Sequence, residues 1–417
     1  MNRPDYMDPK IEGSTAIPTT SKGNENWKYT NLKPIANTNF NQPNKQGHPD
    51  KEIETKVQHI TLDDLEKHTP LIDNAMLLIF IDGYFVEYLS SAPMNFRNNT
   101  ISIEVENSFK KWRSVPTQDI FSNINNGAFY DGALIQIPSI FDSIKSDGEP
   151  NNLVQIIHVS TNPKPPTETH PRTVIMTQPN SQSTILECHV SLTDKIHLNN
   201  SVTQIFLGEN SHLTYYQLVN QNPEAYQINS TYVNQEKNST FESISIAKGA
   251  SILRNELKIY LAGEYSECSL KGLYFTSRSE HIDNHIMIDH AVPKAKSEIF
   301  YKGILDDKSK AVFSGGVLVR KNAQKTVAKQ TDKNLILSKG ARINTKPMLE
   351  IYADDVECAH GATAGSIATE ALFYMQSRGI GIEMARKLLI NGFANQIIDE
   401  IKLESFKKYL HSNWLPK

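Results

Sequence analysis

The chain has 417 residues, 21% of them charged, and a formal net charge of −3. That length exceeds the usual size of one compact core and predicts two or three domains, unless the fold is a β structure that grows in one direction. The near-neutral balance gives no global attraction to nucleic acid or to a membrane surface, and the longest apolar run, Met76-Leu77-Leu78-Ile79-Phe80-Ile81, stops at Asp82, far short of the ~20 residues that cross a bilayer.

Residues 1–26 are polar and contain Pro4, Pro9 and Pro18. They read as a flexible lead without the charged start and apolar centre of a signal peptide, so the expected location is cytoplasmic. A second polar stretch rich in Asn, Gln and Pro runs to about Pro49 and reads as a surface loop. Residues 77–88 alternate around Asp82-Gly83, which predicts two strands joined by a tight turn. Residues 108–131 follow a helical pattern, with Phe109, Trp112, Ile120, Phe121 and Ile124 as apolar anchors. An α+β N-terminal domain over 27–150 accounts for these elements.

Over 151–367 the character changes to short β-branched and apolar runs: 153–159, 173–177, 183–190, 202–207, 212–218, 240–246, 256–261, 268–275, 281–288, 297–305, 311–319 and 334–337. Turn-like pieces such as Gly208-Glu209-Asn210, Lys237-Asn238-Ser239 and Lys248-Gly249-Ala250 separate them. The lack of intervening helical pattern excludes an ordinary βαβ sheet. So many strands would overfill one sandwich, whereas a stacked β-solenoid adds coils without widening its core. Residues 368–417 then read as a helical domain that caps the core: 369–377, 381–391 ending at Asn391-Gly392, and 393–410. Ile382, Ala385 and Leu389 form one apolar stripe, and Phe393, Ile397 and Ile401 another.

Three cysteines, Cys188, Cys268 and Cys358, lie far apart with no CxxC pair. Neither a zinc knuckle nor a disulfide framework is indicated. Reading 349–358 as one strand, Cys358 and His360 project from the same side and offer a soft sulfur and a borderline nitrogen to one metal or cluster. From spacing alone the plainer reading is favoured, a free cysteine packed as a small hydrophobe beside a locally bonded histidine.

Several separate segments carry a resemblance. In chain order they are Trp27-Lys28-Tyr29-Thr30, His281-Ile282-Asp283-Asn284 with His290, Phe313-Ser314-Gly315, Ala323-Gln324-Lys325-Thr326, Asn334-Leu335-Ile336-Leu337-Ser338, Asp354-Asp355-Val356-Glu357-Cys358-Ala359-His360-Gly361-Ala362-Thr363 and Phe373-Tyr374-Met375-Gln376-Ser377-Arg378-Gly379-Ile380. From about residue 20 onward the chain resembles the SufB/SufD family of iron–sulfur cluster assembly scaffolds. Ile17-Pro18-Thr19 ahead of Trp27 points to its SufD branch. Only about two dozen residues precede Trp27, where many SufD chains carry a further helix.

The resemblance implies a right-handed parallel β-helix between helical segments, a non-catalytic role, and work beside a SufB-like scaffold and a SufC-like ABC ATPase. It implies a transient iron–sulfur cluster or iron shared with SufB at His360 and Cys358, with no cofactor held by this subunit alone. It turns His360 toward a ligand role and leaves Cys358 open. It also places SufC docking on the C-terminal helices, at Ile382, Ala385, Leu389, Phe393 and Ile397, and leaves room for a homodimer when the chain is alone.

His281, Asp283, His285 and Asp289 alternate along one strand, and the expected explanation is the solvated outer face of a coil; Asp283 and His290 match the family pattern without an assigned role. The lysines and arginines between Lys302 and Lys346 lack the interleaved aromatics of a nucleic-acid groove, so a solvated face is expected there too. No Walker-type or GxSxG motif is present, so any ATP hydrolysis is expected in a partner. The alternative function class is a β-helical polysaccharide-acting enzyme.

Overall fold

A chain that alternates short strands with tight corners can pair each strand with the one a full coil later, not with its neighbour in sequence. The computed structural model adopts this arrangement; it describes residues 17, 25–41, 59–91, 102–104, 119–139, 153–162 and 165–416. One sheet stacks Gln182–Ser191, His212–Asn220, Thr240–Lys248, Glu267–Thr276, Lys296–Leu305, Thr326–Ile336 and Val356–Gly365, all parallel. The facing sheet stacks His197–Leu207, Tyr226–Gln235, Ile252–Leu261, His281–His290, Lys310–Val319 and Arg342–Ile351. The fold is mainly β, a parallel β-solenoid of about seven turns with helices mostly at the C-terminal end.

The corners repeat as faithfully as the strands. Asn180, Asn210, Asn238, Tyr265, Lys294 and Lys325 all take left-handed backbone conformations, with φ between 56° and 63°. Among residues other than glycine, asparagine tolerates this region best. Its side chain also builds a ladder up the edge, Asn238 Nδ2 donating to Asn210 Oδ1 at 2.9 Å and Asn210 Nδ2 to Asn180 Oδ1 at 3.2 Å.

Between the sheets lies a lumen filled by alternate residues of every strand, including Ile156, Ile185, Tyr215, Ile259, Ile288, Ile299 and Phe313. A polar ladder runs through it: Ser201 Oγ donates to Asn229 Oδ1, Asn229 Nδ2 to Asn255 Oδ1 and Asn255 Nδ2 to Asn284 Oδ1. At the N-terminal end Met76–Ile81 pairs in parallel with Leu153–Ser160 and extends the first sheet. It closes a hairpin with Tyr84–Phe85 through Asp82 and Gly83, whose φ values of +48° and +86° fit the two-residue turn. Of the helical pattern over 108–131, the part within the described residues is the helix Ile120–Ala128, while Phe109 and Trp112 lie outside them.

Away from the last coil, each sheet has a covering on its outer face. Over the second sheet sits the segment carrying Trp27, Leu32 and Ile35 with Phe121. Over the first sheet pack the helices Ile382–Ile398 and Glu404–Asn413, through Ala394, Ile397, Ile398, Ile401, Phe406 and Leu410.

Three local expectations are corrected. Residues 349–358 are not one strand: Arg342–Ile351 ends, the chain bends at Asp354-Asp355, and Val356–Gly365 begins, because a coil corner is held there by Lys325 N donating to Asp355 O at 2.6 Å. Asn391-Gly392 does not end a helix. Ile382–Ile398 runs straight through, since burial of Ala394 and Ile397 and two bonds from Lys302 Nζ, to Phe393 O and Gln396 Oε1 at 2.6 Å each, outweigh the local glycine preference. Residues 393–410 are split instead at 399–403, where Lys402 N donates to Tyr216 Oη.

Candidate functional site

The strands Arg342–Ile351 and Val356–Gly365 terminate their two sheets. No further coil covers them among the described residues. Both are largely exposed or half-buried, whereas the preceding strand Lys310–Val319 is almost wholly buried. Ten-residue edges of free N–H and C=O groups are a liability that proteins normally cover.

Cys358 and His360 stand on the Val356–Gly365 edge and face the lumen together, as their pairing with Ala328 and Gln330 requires. Cys358 is half-buried against the lumen core, and burial raises its thiol pKa. Cys188 and Cys268 are fully enclosed, and burial pushes the Cys188 thiol up to about 12. Cys358 is therefore the thiol with access to solvent. His360 is exposed. The neighbours are small: a Cβ added at Gly361 or Gly365 would meet nothing within 4 Å. One sulfur and one imidazole supply two ligands where an iron centre takes about four, so the chemistry that fits is a ligand set completed from outside.

Directly behind this edge the lumen is polar. Gln330 and Asp332 point inward from Thr326–Ile336 and are 2% and 1% exposed. Burial raises the Asp332 carboxyl to about 6, against the pull of Thr345 and Asn334. Sequence reading passed over both residues; the signal was the polar alternation Gln330, Asp332, Asn334, interpretable only once the strand's phase is known.

Elsewhere the quoted motifs resolve into fasteners. The alternating His281, Asp283, His285 and Asp289 do lie on the outer face, but they are covered and not solvated, contrary to expectation. Thr30 Oγ1 donates to Asp283 Oδ2 at 2.6 Å and meets His281 Nε2 at 2.8 Å. Arg254 bonds Asp283 Oδ2 at 2.6 Å and Asn26 O at 2.9 Å, and its guanidinium lies 4.0 Å from the Trp27 ring centroid. Trp27 and Thr30 thus lock to Asp283 across 253 residues. Asp289 accepts a two-pronged contact from Arg320. His290 faces inward, with Nε2 2.8 Å from Ser297 Oγ.

The basic run is solvated only in part. Lys302 is buried beneath the helix Ile382–Ile398, 3.7 Å from the Phe393 ring centroid, and burial together with Lys333 lowers its pKa to about 8.

Among the residues expected to meet a partner on the C-terminal helices, Ala385 and Ile397 are wholly buried in the chain's own packing and present no surface. Leu389 and Phe393 are half-buried. Ile382 is 42% exposed, and Met384, Leu388, Phe373 and Tyr374 lie exposed with it. Among the described residues no helix is long and apolar enough to cross a membrane.

A second polar cluster lies at the N-terminal end of the lumen, which is closed by Phe80, 5.3 Å from the His158 ring, and by Phe85 beyond it. Glu187 accepts from His158 Nε2 at 3.0 Å, from Thr173 and Thr203 hydroxyls at 2.9 Å, and from Tyr215 Oη. Burial alone would raise its pKa, but His158, His189 and Tyr215 hold it down to about 2.

The profile of the family described as "SUF system FeS cluster assembly, SufBD core domain" matches residues 158–393. An iron–sulfur cluster assembly SufBD family protein of Synechocystis sp. is 29% identical over 95% of this chain and 86% of its own length. The iron–sulfur cluster assembly protein SufD of Escherichia coli is 27% identical over 94% and 88%. A SufBD family protein of Mycobacterium leprae is 33% identical over 42% of this chain and 46% of its own.

Proposed function

The chain belongs to the SufBD family of iron–sulfur cluster assembly scaffolds, and on that premise we propose that it is a SufD-like subunit whose open coil end completes a cluster-forming site on a SufB-like partner. The observation that carries this reading is the uncapped edge with Cys358 and His360 on its lumen side. A second solenoid end placed against it would pair the free backbone and bring further ligands to the two present. Strand addition supplies the affinity, and the side chains facing the junction supply the chemistry. The cluster is cargo, held while it forms and passed on.

An ABC-type ATPase is the second proposed partner, on the apolar surface of Ile382, Met384 and Leu388 with Phe373 and Tyr374. The helices beneath are bolted to the β core, so movement of the ATPase would be passed directly to the coil end. The relatives are named as assembly proteins, which favours this role over a polysaccharide-acting enzyme.

Hydrogen exchange with and without a SufB-like partner tests the docking: residues 342–365 gain protection in the complex. Unchanged exchange there contradicts it, and gained protection in the isolated chain at rising concentration identifies self-pairing at the same edge.

A further inference from the structure

Among the described residues, three buried oxygen atoms behind the Cys358–His360 edge have no partner at normal hydrogen-bond geometry: Asp332 Oδ1, Gln330 Oε1 and Thr345 Oγ1. They belong to one place. Asp332 and Gln330 are two residues apart on the same face of their strand, and Thr345 faces the lumen from the opposite sheet, its register partner being Phe313 of the lumen core. Thr345 lies close enough to Asp332 for a weak hydrogen-bonding contact that lowers its pKa, but neither Asp332 Oδ1 nor Thr345 Oγ1 makes a hydrogen bond of normal geometry. Gln330 reaches across the lumen, donating from Nε2 to Gly315 O at 3.2 Å; a Cβ on Gly315 would fall 2.4 Å from that nitrogen, so the glycine makes the span possible.

An unpaired carboxylate oxygen at this depth is costly. The other Asp332 oxygen, Oδ2, accepts from Asn334 Nδ2 at 2.7 Å. Asn334 Oδ1 is itself taken by Tyr274 Oη at 2.5 Å. Among the described residues no cationic side chain bonds Asp332. A carboxylate, an amide carbonyl and a hydroxyl left free together are the donor set of a hard or borderline divalent cation. The way in is from the open end. Asp332 pairs with Ala362 and Asn334 with Ala364, so only small side chains on the last strand separate these buried oxygens from the open end, while His360 is the register partner of Gln330.

We propose that Asp332, Gln330 and Thr345 form an oxygen-lined site for a divalent cation, ferrous iron in use, directly behind the Cys358–His360 edge. The binding stands on these residues alone; its role, holding an iron for the cluster built at the edge, rests on the function proposed above.

The test uses the full chain under anaerobic conditions, with Mn²⁺ as the probe followed by the loss of its free-ion paramagnetic resonance signal, and Fe²⁺ retained after desalting. Wild type is expected to bind one Mn²⁺, Asp332→Asn to bind it about tenfold or more weakly, and Thr345→Val to weaken it measurably. A Cys358→Ser/His360→Ala chain keeps the Mn²⁺ site. No saturable Mn²⁺ binding in wild type, or equal binding in Asp332→Asn and Thr345→Val, overturns the proposal and assigns the oxygens to a buried water. Should Asp332→Asn fail to fold, Thr345→Val decides. If Asp332→Asn abolishes the Mn²⁺ site while His360→Ala leaves cluster content unchanged in the assembled complex, the cation site stands and the reading of the edge falls.

Discussion

The two ends of the lumen treat a buried carboxylate in opposite ways. At the closed end Glu187 accepts four hydrogen bonds, from His158, Thr173, Thr203 and Tyr215, and is held ionised. At the open end Asp332 has one bonded oxygen and one free, and burial pushes it toward the neutral form. The closed end does leave His189 with both ring nitrogens unpaired, but burial holds that imidazole neutral, its pKa down at about 3, and a neutral ring tolerates such isolation better than a carboxylate does. A satisfied buried charge is part of the architecture. An unsatisfied one beside an open edge points to something that arrives later.

The largest expected effect comes from breaking the closed end. Glu187→Ala strands four buried donors and should cost about 3–5 kcal/mol of unfolding free energy, measured by chemical denaturation. A loss near zero would mean that the network is not structural. The same carboxylate sets a pH dependence. Its folded pKa, about 2, lies below the value of about 4.3 in an unfolded chain. Its contribution is therefore fully present above roughly pH 4.5 and lost as pH falls toward 2. Glu187→Gln should flatten that part of the stability–pH curve, and an unchanged slope would count against the assignment.

The open end should respond with the opposite sign. In metal-free protein Asp332→Asn removes an uncompensated charge and is expected to leave stability within about 1 kcal/mol of wild type or to raise it slightly. A loss as large as that of Glu187→Ala would erase the contrast. Smallest of all, Leu388→Lys on the exposed helix surface should change stability by less than about 0.5 kcal/mol while weakening ATPase binding in a pull-down. Full retention of the ATPase would move the docking surface elsewhere.

The coil repeat was legible because apolar alternation and corner residues recur together. Tyr226–Gln235 escaped notice because its inward positions carry Gln227 and Asn229, members of the polar lumen ladder, so the apolar period that marks a strand is absent there. The helix through Asn391-Gly392 was misjudged because Lys302, 91 residues away from Phe393 in sequence, supplies bonds that no local window contains. Cys358 and His360 were visible as a pair, since two residues apart on any strand share a face. Asp332 was not, because whether a polar residue points into a lumen or into water depends on strand phase and on what covers the outer face. The same ambiguity hid the role of Asp283, whose partners Thr30 and Arg254 come from distant segments.

The central claim is that the coil end is a shared ligand edge and not merely an unfinished one. It is tested most directly by co-expressing the His360→Ala chain with the proposed SufB-like and ATPase partners, isolating the complex anaerobically, and measuring iron and acid-labile sulfide per complex beside the circular dichroism of the free chain. A folded chain, an intact complex and clearly lowered iron and sulfide are expected. A folded, assembled complex with wild-type cluster content would contradict it.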